Sequence, residues 1–509
     1  MRALANHRRQ SWKVAKIALL SRLLVIILAF LSNVFVDDYD SSFDLIYQPK
    51  LPRLSTALGQ IDEDSHAIKP LAIPRLDLGA LEKPTDAEKW TKSLESGESE
   101  NQGAKISVNA GESRSDDGFV ARERVNGYDL PQVLQSILRP WLRVFVRWDA
   151  IYFIHLAEEG HYVFEQEHAF FPMLPLLIRF VASSVLYPLI GLLGFRITII
   201  LAGVLVSNCS FIASAVVLYH LGIDLLRDER LAFLGALCYC FTPSNVFMSA
   251  IYTESLFALF SFISMRLVLQ RRYLLTAYFI SLGSLTRSNS IVYSGFFIYD
   301  LIVRPLQRLF HPVAKGFAPG HGRVRWLLMY LWNTCRAAFF CAIALSGFVL
   351  FQLYGYSLYC LSPQNQRPWC NSRIPLLYSF VQHYYWNNGF LKYYEWKQIP
   401  NFLFAGPMIY LSVWGIYTYA RADWYRFFTL GVITRSSPRV SSKTTPSKPN
   451  HALRTRHSPA SDTALPTTHS STYLSDALLP HIYLWAVLLV YAVFNMHIQA
   501  VAGPSSDKA

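Results

Sequence analysis

The chain has 509 residues, of which 52% are hydrophobic and only 16% are charged. Soluble domains carry roughly a quarter charged residues, so this composition excludes an ordinary soluble protein. The net charge of +13 could suit a nucleic-acid binder, but the basic residues gather in loops between apolar stretches, and that bias already accounts for the excess. The sequence therefore predicts an all-α polytopic membrane protein.

Apolar stretches long enough to cross a bilayer, about 20 residues each, recur along the chain. The first follows a basic start and is longer than the apolar core of a typical cleaved signal, so we interpret it as a retained signal anchor. We predict about nine transmembrane helices, near 14–36, 169–192, 195–220, 231–250, 252–270, 274–302, 326–355, 402–420 and 481–501.

Charged loops orient these spans. Basic residues cluster in 2–16, 304–325 and 421–456, and positive-inside asymmetry places those segments in the cytosol. Residues 37–130 instead hold 19 acidic and 11 basic residues, so we expect the region after the first span to lie on the luminal side. Sidedness within 195–302 stays open, because not every basic loop there fits the cytosol.

Eight segments follow from these boundaries, and two of them have the low hydrophobicity of flexible chain. The first such segment is a long polar insertion with a Ser- and Gly-rich, disordered stretch at 93–117. The segments are a cytosolic tail with the first helix (1–36), the luminal insertion (37–140), a luminal loop with candidate chemistry (141–168), a multi-span core (169–355), a luminal aromatic-rich loop (356–401), one helix (402–420), a flexible cytosolic linker (421–480), and the last helix with a short end (481–509).

Two of the seven cysteines, Cys360 and Cys370, flank a short polar loop on the predicted luminal side. The others lie in or beside apolar spans, where we expect them to pack. A disulfide forms readily in an oxidising lumen. The pattern leaves a bridged and a free pair equally open.

The stretch 145–175 points most directly to chemistry, because an Arg-Trp-Asp triplet there precedes a short amphipathic segment and an apolar span. Ionised side chains at a membrane surface are costly unless they serve a substrate pathway or an ion pair. Asp149 is a candidate base for transfer to a hydroxyl, and Arg147 could hold a leaving phosphate. For the triplet alone, an interfacial Arg–Asp pair with Trp148 as a belt aromatic is the commoner arrangement.

A run of His and Glu follows the triplet. It has the composition of a metal site, and His155 and Glu159 have helical spacing, but no HExxH or DxD pattern is present. We interpret the run as a solvated helix face. Its members are His155, Glu158, Glu159, His161, Glu165, Glu167 and His168.

Polar residues recur inside later spans. Glu254 lies in FTPSNVFMSAIYTESLFAL, and Arg287 and Asn289 lie in SLTRSNSIV. A Glu and an Arg in separate spans can simply pair. They can also line a cavity for a polyprenyl phosphate, with Arg287 on the phosphate. The sequence leaves both open.

An aromatic-rich loop at 379–402 contains His383, Lys392 and Glu395. Aromatic faces suit sugar rings and lipid headgroups equally. We predict that these three residues contribute to substrate binding.

Together these stretches resemble one family. RWDAIYFIHLAEEGHY…AFFP, SNVFMSAIYTESLFAL, LTRSNS, IPLLYSFVQHYYWNNGFLKYYEWKQIPNFLFAGP and MHIQ follow the order and spacing of the PIG-V family, the GPI mannosyltransferases 2. The resemblance implies a GT-C-type glycosyltransferase of the endoplasmic reticulum membrane that uses dolichol-phosphate-mannose on the luminal side. It would add the second, α1,6-linked mannose to the mannosyl-glucosaminyl-phosphatidylinositol precursor.

The resemblance also implies roles for residues. Asp149 matches the family's expected catalytic acidic residue and would deprotonate the acceptor 6-hydroxyl, in a single displacement that inverts the β-linked donor sugar. Arg147, Arg287 and Lys392 are candidates to meet the departing phosphate. The scheme needs no metal and no other cofactor, and a small membrane subunit is left open as a partner.

Other interpretations stay open beside this one. A protein O-mannosyltransferase would show an Asp-Glu pair where Asp149 is followed by Ala150. A transporter would show matched halves, which are not visible. The family normally continues beyond Gln499, so we expect a C-terminally truncated chain, and an inactive isoform or scaffold is a further alternative.

Overall fold

The computed structural model describes residues 2–35, 134, 137–138, 140–242, 244–310, 321–361, 366–432 and 472–496. The chain divides into two units, and one of them, Gln48–Gly127, falls wholly outside those residues. The predictions of disorder at 93–117 and of a flexible linker over most of 421–480 also fall outside them. All the described residues belong to the other unit, Met1–Tyr47 with Tyr128–Ala509.

Within the described ranges the elements are helices, and no strand occurs, so the predicted all-α architecture is confirmed. The α-helices are α1 (Arg2–Phe35), α2 (Ala150–Glu159), α3 (Met173–Ser183), α4 (Tyr187–Leu193), α5 (Phe195–Leu226), α6 (Glu229–Cys240), α7 (Asn245–Ser249), α8 (Glu254–Leu269), α9 (Tyr273–Ser284), α10 (Gly295–Ile298), α11 (Arg304–Phe310), α12 (His321–Tyr359), α13 (Leu377–Tyr384), α14 (Ile399–Ala422), α15 (Trp424–Phe428) and α16 (Leu479–Asn495). The 3-10 helices are Arg143–Phe145, Glu165–Ala169, Ser288–Ser294, Pro368–Asn371, Trp396–Gln398, Thr472–Leu474 and Asp476–Leu478, and Tyr299–Val303 is a π-helix.

Five helical segments in the described part of the chain are long and apolar enough to cross a membrane. A sixth is formed by α3 and α4 together, which bend by 81° at the break between them. All six coincide with predicted spans. The five are Arg8–Phe35, Phe195–Leu226, Val324–Tyr359, Trp396–Ala422 and Asp476–Asn495.

The predicted spans near 231–250, 252–270 and 274–302 consist of shorter pieces. α6 has 12 residues, α8 has 16 and α9 has 12, each below the roughly 20 that a straight span needs. The chain leaves α9 at Leu285 and is extended at Arg287, with φ −153° and ψ 141°. Non-helical backbone at membrane depth is tolerated where it is buried in protein or lines a polar cavity. Polar side chains are therefore expected beside these helix breaks.

The core is organised around α5, which packs against α1, α3, α6 and α8. Its buried residues include Ile199, Ile200 and Phe211, none of which is exposed. Close approach requires glycine at Gly203, where an added Cβ would lie 2.9 Å from the Ile251 side chain. Small residues at such crossings allow helices in a membrane to pack tightly.

A buried arginine in α1, Arg22, was not anticipated from the sequence. It is 1% exposed, and its Nη1 donates to the carbonyl of Asn245 and to Ser249 Oγ, each at 3.0 Å. Its guanidinium also lies 3.6 Å from the centroid of the Phe211 ring. A charged group in a transmembrane helix must find such partners, and through them Arg22 holds α7, the short helix that precedes Glu254.

Candidate functional site

The Arg-Trp-Asp triplet forms a tight turn into α2. Trp148 has φ 49°, a left-handed conformation that is uncommon for a residue with a bulky side chain. Asp149 follows as the N-cap of α2, where the partial positive charge of a helix N-terminus favours a carboxylate. The left-handed Trp148 therefore turns the chain between the 3-10 helix Arg143–Phe145 and α2.

Partners from two other elements hold this turn. The Tyr252 hydroxyl donates to the Arg147 carbonyl at 3.2 Å. The Arg147 side chain donates through Nη2 to Asn33 Oδ1 at 3.4 Å, near the end of α1. The Trp148 ring lies 6.0 Å from the Phe247 ring. The triplet is thus fixed between α1 and the segment that leads to α8.

Three residues that are far apart in the sequence lie within electrostatic reach of one another: Asp149, Glu254 and Arg287. Arg287 Nη1 donates to Glu254 Oε1 at 2.6 Å and lies 3.4 Å from Thr253 Oγ1. The pKa of Asp149 is raised to about 6, chiefly by burial and further by the nearby Glu254 carboxylate, while the Arg287 guanidinium lowers it in part. Glu254 and Arg287 do pair, and the pair lies within electrostatic reach of Asp149.

This arrangement can do acid–base and anion chemistry. A carboxylate with a pKa of about 6 is mostly ionised at neutral pH and is a stronger base than an ordinary aspartate. The contacts of Arg287 with Glu254 and Thr253 both use Nη1, and its side chain is 31% exposed. Its other N–H groups can therefore bind a ligand oxygen, as guanidinium groups do with phosphate.

Two acceptor atoms, one in this group and one close to Arg287 in the sequence, are buried and, within the described residues, have no hydrogen-bond partner. They are Glu254 Oε2 and Asn289 Oδ1. Asn289 lies two residues after Arg287, in the first turn of the Ser288–Ser294 3-10 helix. An unsatisfied buried acceptor costs about 1–3 kcal/mol, so such atoms in a native fold require an explanation.

A hydrogen-bonded support behind Arg287 was missed by sequence reasoning. Ser288 Oγ donates to the Tyr378 hydroxyl at 2.9 Å, and the backbone N–H of Tyr378 donates to Gln352 Oε1 at 3.0 Å. These bonds join the 3-10 helix after Arg287 to α13 and α12. No local pattern marks Tyr378, because each partner comes from a different part of the chain.

A second polar cluster is centred on the buried carboxylate of Glu165, which is 7% exposed. It accepts from Arg367 Nε at 3.1 Å, from Trp369 Nε1 at 3.0 Å and from the Tyr385 hydroxyl at 2.8 Å. Four hydrogen-bond donors on one carboxylate, counting Arg367 Nη2 at 2.5 Å, make this cluster a rigid link between the loop before α3 and the loop after α12.

The Cys360–Cys370 pair is bridged in the structure, with the two Cα atoms 5.5 Å apart. The bridge ties the Pro368–Asn371 3-10 helix to the end of α12. Arg367 and Trp369 lie inside the loop that it closes, so the bridge helps to present both side chains to Glu165. The bracketing cysteines were the one sequence signal that could have pointed to this cluster.

Three members of the run of His and Glu after the triplet, His155, Glu158 and Glu167, form specific pairs. Glu167 accepts from His155 Nδ1 at 2.6 Å, and this hydrogen bond raises the pKa of His155. Glu158 accepts from Arg196 with both carboxylate oxygens, at 2.9 and 3.1 Å. Among the described residues, no group of three or more His, Cys, Asp or Glu is placed to hold a metal ion.

The residues predicted in the aromatic-rich loop form a separate group. Lys392 Nζ lies 2.8 Å from His383 Nε2, and Glu395 pairs with Lys397 at 2.7 Å on the surface. In the described chain these contacts do not include Asp149, Glu254 or Arg287. The loop reaches α2 through Trp386, whose ring lies 5.9 Å from that of Tyr152.

An apolar cavity of about 340 Å³ lies at the opposite end of α2 from Asp149. A 10-residue helix is about 15 Å long, so the cavity is separate from the Asp149 group. Arg179 lies on its wall, with its guanidinium held by the carbonyls of Ala157 and Glu158 at 2.9 and 2.7 Å. The other lining residues are Leu156, Gly160, His161, Tyr162, Pro172, Pro175, Leu176, Leu285, Leu350, Phe351 and Tyr354.

Known proteins resemble this chain over most of its length. A sequence model of the family described as "Mannosyltransferase (PIG-V)" matches residues 122–505. GPI alpha-1,6-mannosyltransferase 2 of Homo sapiens is 31% identical over 377 residues, 70% of this chain and 68% of the relative. GPI mannosyltransferase 2 of Schizosaccharomyces pombe is 34% identical over 280 residues, 53% of each chain. No solved structure matches. The chain therefore belongs to the PIG-V family of mannosyltransferases, and it is a membrane glycosyltransferase.

Proposed function

We propose that this chain transfers mannose to a GPI-anchor precursor on the luminal side of the endoplasmic reticulum membrane. The donor is dolichol-phosphate-mannose, and the product carries a second, α1,6-linked mannose on mannosyl-glucosaminyl-phosphatidylinositol. The names of the relatives support this activity. The main structural support for the proposal is that the Arg287–Glu254 ion pair, formed by two distant segments, lies within electrostatic reach of Asp149.

Asp149 is the general base in this proposal. Its carboxylate removes the proton of the acceptor 6-hydroxyl while that oxygen attacks the anomeric carbon of the donor mannose. The bond between that carbon and the dolichyl phosphate oxygen breaks in the same step, and the phosphate leaves with the electron pair. One displacement inverts the β-linked donor into an α-linked product.

Arg287 is the best placed of the three cations predicted to meet the leaving phosphate. It lies within electrostatic reach of Asp149, and its unused N–H groups can bind two phosphate oxygens. Arg147 instead directs its guanidinium to Asn33, and Lys392 contacts His383. We therefore assign the phosphate to Arg287 and give the other two no direct role in the displacement.

The remaining predicted residues are assigned to substrate binding. Trp148 is 38% exposed and can offer a face to a sugar ring. His383, Lys392 and Glu395 lie on the loop that reaches α2, where they can meet the glycolipid headgroup. The apolar cavity beside α3 suits a lipid chain, because sites for such ligands are concave and mostly apolar.

A complementation experiment tests the proposal. The chain is expressed in cells that lack GPI mannosyltransferase 2, beside Asp149→Ala, Asp149→Asn and Asp300→Asn, and surface GPI-anchored protein is measured by flow cytometry. Asp300 also pairs with an arginine, Arg304 at 3.1 Å, but in another part of the fold, so it is a matched control.

We expect wild type and Asp300→Asn to restore surface protein and both Asp149 variants to fail at equal expression. Equal rescue by Asp149→Ala would remove Asp149 from catalysis and favour a scaffold role. Absence of rescue by every form, with normal membrane insertion, would reject the proposed activity. A transporter with no mannosyltransferase activity would also fail to restore surface protein in every form.

A further inference from the structure

The ion pair between Arg287 and Glu254 uses only one of the two carboxylate oxygens of Glu254. Oε1 accepts from Arg287 at 2.6 Å, whereas Oε2 is buried and has no partner among the described residues. Asn289 Oδ1 is in the same condition. By comparison, Glu158 accepts from Arg196 with both oxygens. Among the described residues, Glu254 Oε2 is the buried carboxylate oxygen that is left without a hydrogen-bond partner.

The chemistry of the two unpaired atoms restricts what can bind them. Both are acceptors, so each requires an N–H or O–H donor from a ligand. A phosphate presents acceptor oxygens and negative charge, which would repel the Glu254 carboxylate. A sugar ring presents neutral hydroxyl groups, each of which can donate one hydrogen bond. Hydroxyl donors fit this side of the site, and phosphate fits the Arg287 side.

Glu254 is able to present Oε2 to a ligand. Its side chain is 21% exposed, so the residue does not lie in a sealed core, although Oε2 itself is covered. The last torsion of a glutamate is broad, and a small rotation can turn Oε2 toward the exposed side of the residue while Oε1 keeps the Arg287 bond. A bound hydroxyl would then remove the penalty of the unpaired acceptor.

We propose that Glu254 Oε2 and Asn289 Oδ1 accept hydrogen bonds from sugar hydroxyl groups and so determine which sugar ring is held against Asp149. This inference rests on the mannosyl transfer proposed above and divides the site into a hydroxyl side and a phosphate side. Glu254 is a specificity residue in this scheme, because it holds a hydroxyl that does not react. Selection by such contacts is strong, since a substrate that lacks the donor leaves the buried acceptor unpaired.

Fluorinated sugars test the direction of these hydrogen bonds. Replacing one hydroxyl by fluorine keeps the size of the group but removes its donor. Membranes containing the full chain are assayed for kcat/KM with acceptors fluorinated at position 2, 3 or 4 of the mannose, and with donors fluorinated at position 3 or 4. The two series distinguish an acceptor ring from a donor ring. Each is run with wild type, Glu254→Gln, Asn289→Ala and Glu158→Gln.

For wild type we expect at least one fluorinated position to lower kcat/KM by about 10-fold or more, because a hydrogen bond to a charged acceptor is lost. Glu254→Gln should reduce that penalty to about twofold or less at the same position, because the charged acceptor that would lose its donor is absent from this variant. Electronic effects of fluorine act equally on all enzymes and cancel in the ratio. Glu158→Gln, whose parent carboxylate is fully paired, should keep the wild-type penalty.

The outcomes separate the two proposals. A wild-type enzyme that transfers no mannose to the natural acceptor overturns the proposed function, and this inference with it. A wild-type enzyme that transfers mannose but shows the same fluorine penalties as Glu254→Gln and Asn289→Ala overturns this inference alone. A penalty that Glu254→Gln removes at one position and Glu158→Gln retains supports it.

Discussion

Arg287 Nη1 lies 2.6 Å from Glu254 Oε1, and this contact joins the start of α8 to the extended backbone after α9. Neither residue is fully buried, with side chains 31% and 21% exposed. The pair is therefore a structural link that remains open to a ligand. Substitution can separate the structural role of the pair from its role in binding a ligand.

Neutralising one member of this pair should destabilise the protein. In Arg287→Gln the Glu254 carboxylate loses its cation in a partly buried position, and we expect a loss of about 1–3 kcal/mol in the free energy of unfolding. Arg287→Gln combined with Glu254→Gln should recover most of that loss, because two amides can pair without net charge, yet it should still transfer little mannose. Thermal unfolding in detergent and a transfer assay measure the two effects. A double variant with wild-type transfer would show that Arg287 does not meet the phosphate.

The pH dependence of transfer should report Asp149. Because its pKa is about 6 and the base must be ionised, kcat/KM should fall as the pH drops through about 6. Glu254→Gln should move this limb to lower pH, since the Glu254 carboxylate raises the Asp149 pKa, and Arg287→Gln should move it higher, since Arg287 lowers it. Profiles of kcat/KM between pH 4.5 and 8, the range suggested by a pKa of about 6, check both signs. If the acidic limb of the wild-type profile had its midpoint near the ordinary pKa of an aspartate, Asp149 would not be the base with the raised pKa.

Asp149→Asn should be more stable than wild type although it is inactive. The folded state raises the Asp149 pKa from 3.8 to about 6, so the folded protein binds this proton more tightly than the unfolded chain. Ionisation then weakens the fold as the pH rises from about 4 to about 6, and the deficit persists above that range. The amide removes the deficit, a gain of about 1–3 kcal/mol at pH 7 and a much smaller gain at pH 4. Equal unfolding temperatures at both pH values would contradict the burial of this carboxylate.

The Cys360–Cys370 bridge should stabilise the loop that carries Arg367 and Trp369. Cys360→Ser should lower the free energy of unfolding by about 2–3 kcal/mol, the expected value for closing a short loop. Cys370→Ser and reductant-treated wild type should show the same loss, because each removes the same bond. Cys335→Ser, at an exposed free cysteine, is the matched control and should behave as wild type. Thermal unfolding with and without reductant measures all four, and a further loss on adding reductant to Cys360→Ser would point to another bridge.

Features of the fold that depend on local pattern were predictable. The span at 195–220 appears as the helix Phe195–Leu226, because an uninterrupted apolar run has few alternatives to a helix in a membrane. The site was predictable in part for the same reason. Asp149, Glu254 and Arg287 each stand out as polar residues beside or within apolar stretches, where such groups are costly.

The features that could not be predicted depend on contacts between distant parts of the chain. Glu165 and Arg367 are separated by 202 positions, and nothing in the neighbourhood of either residue identifies the other. The same holds for Ser288 and Tyr378. Helix breaks were missed where hydropathy remained high, as at Leu285, because the backbone there is satisfied by tertiary partners and not by local sequence.

The position of Arg22 has a consequence for how the protein is made. Its acceptors, Asn245 and Ser249, are synthesised more than 200 residues later. Until they arrive, a membrane-inserted α1 must keep an arginine beside lipid or water, at a cost of about 2.5–3.5 kcal/mol on insertion scales. During synthesis the first helix is therefore less stable in the membrane than in the folded protein. It becomes fully stabilised only when α7 supplies the acceptors of Arg22. Nascent chains that end before Asn245 should accordingly be extracted from the membrane or degraded more readily than chains that extend past Ser249.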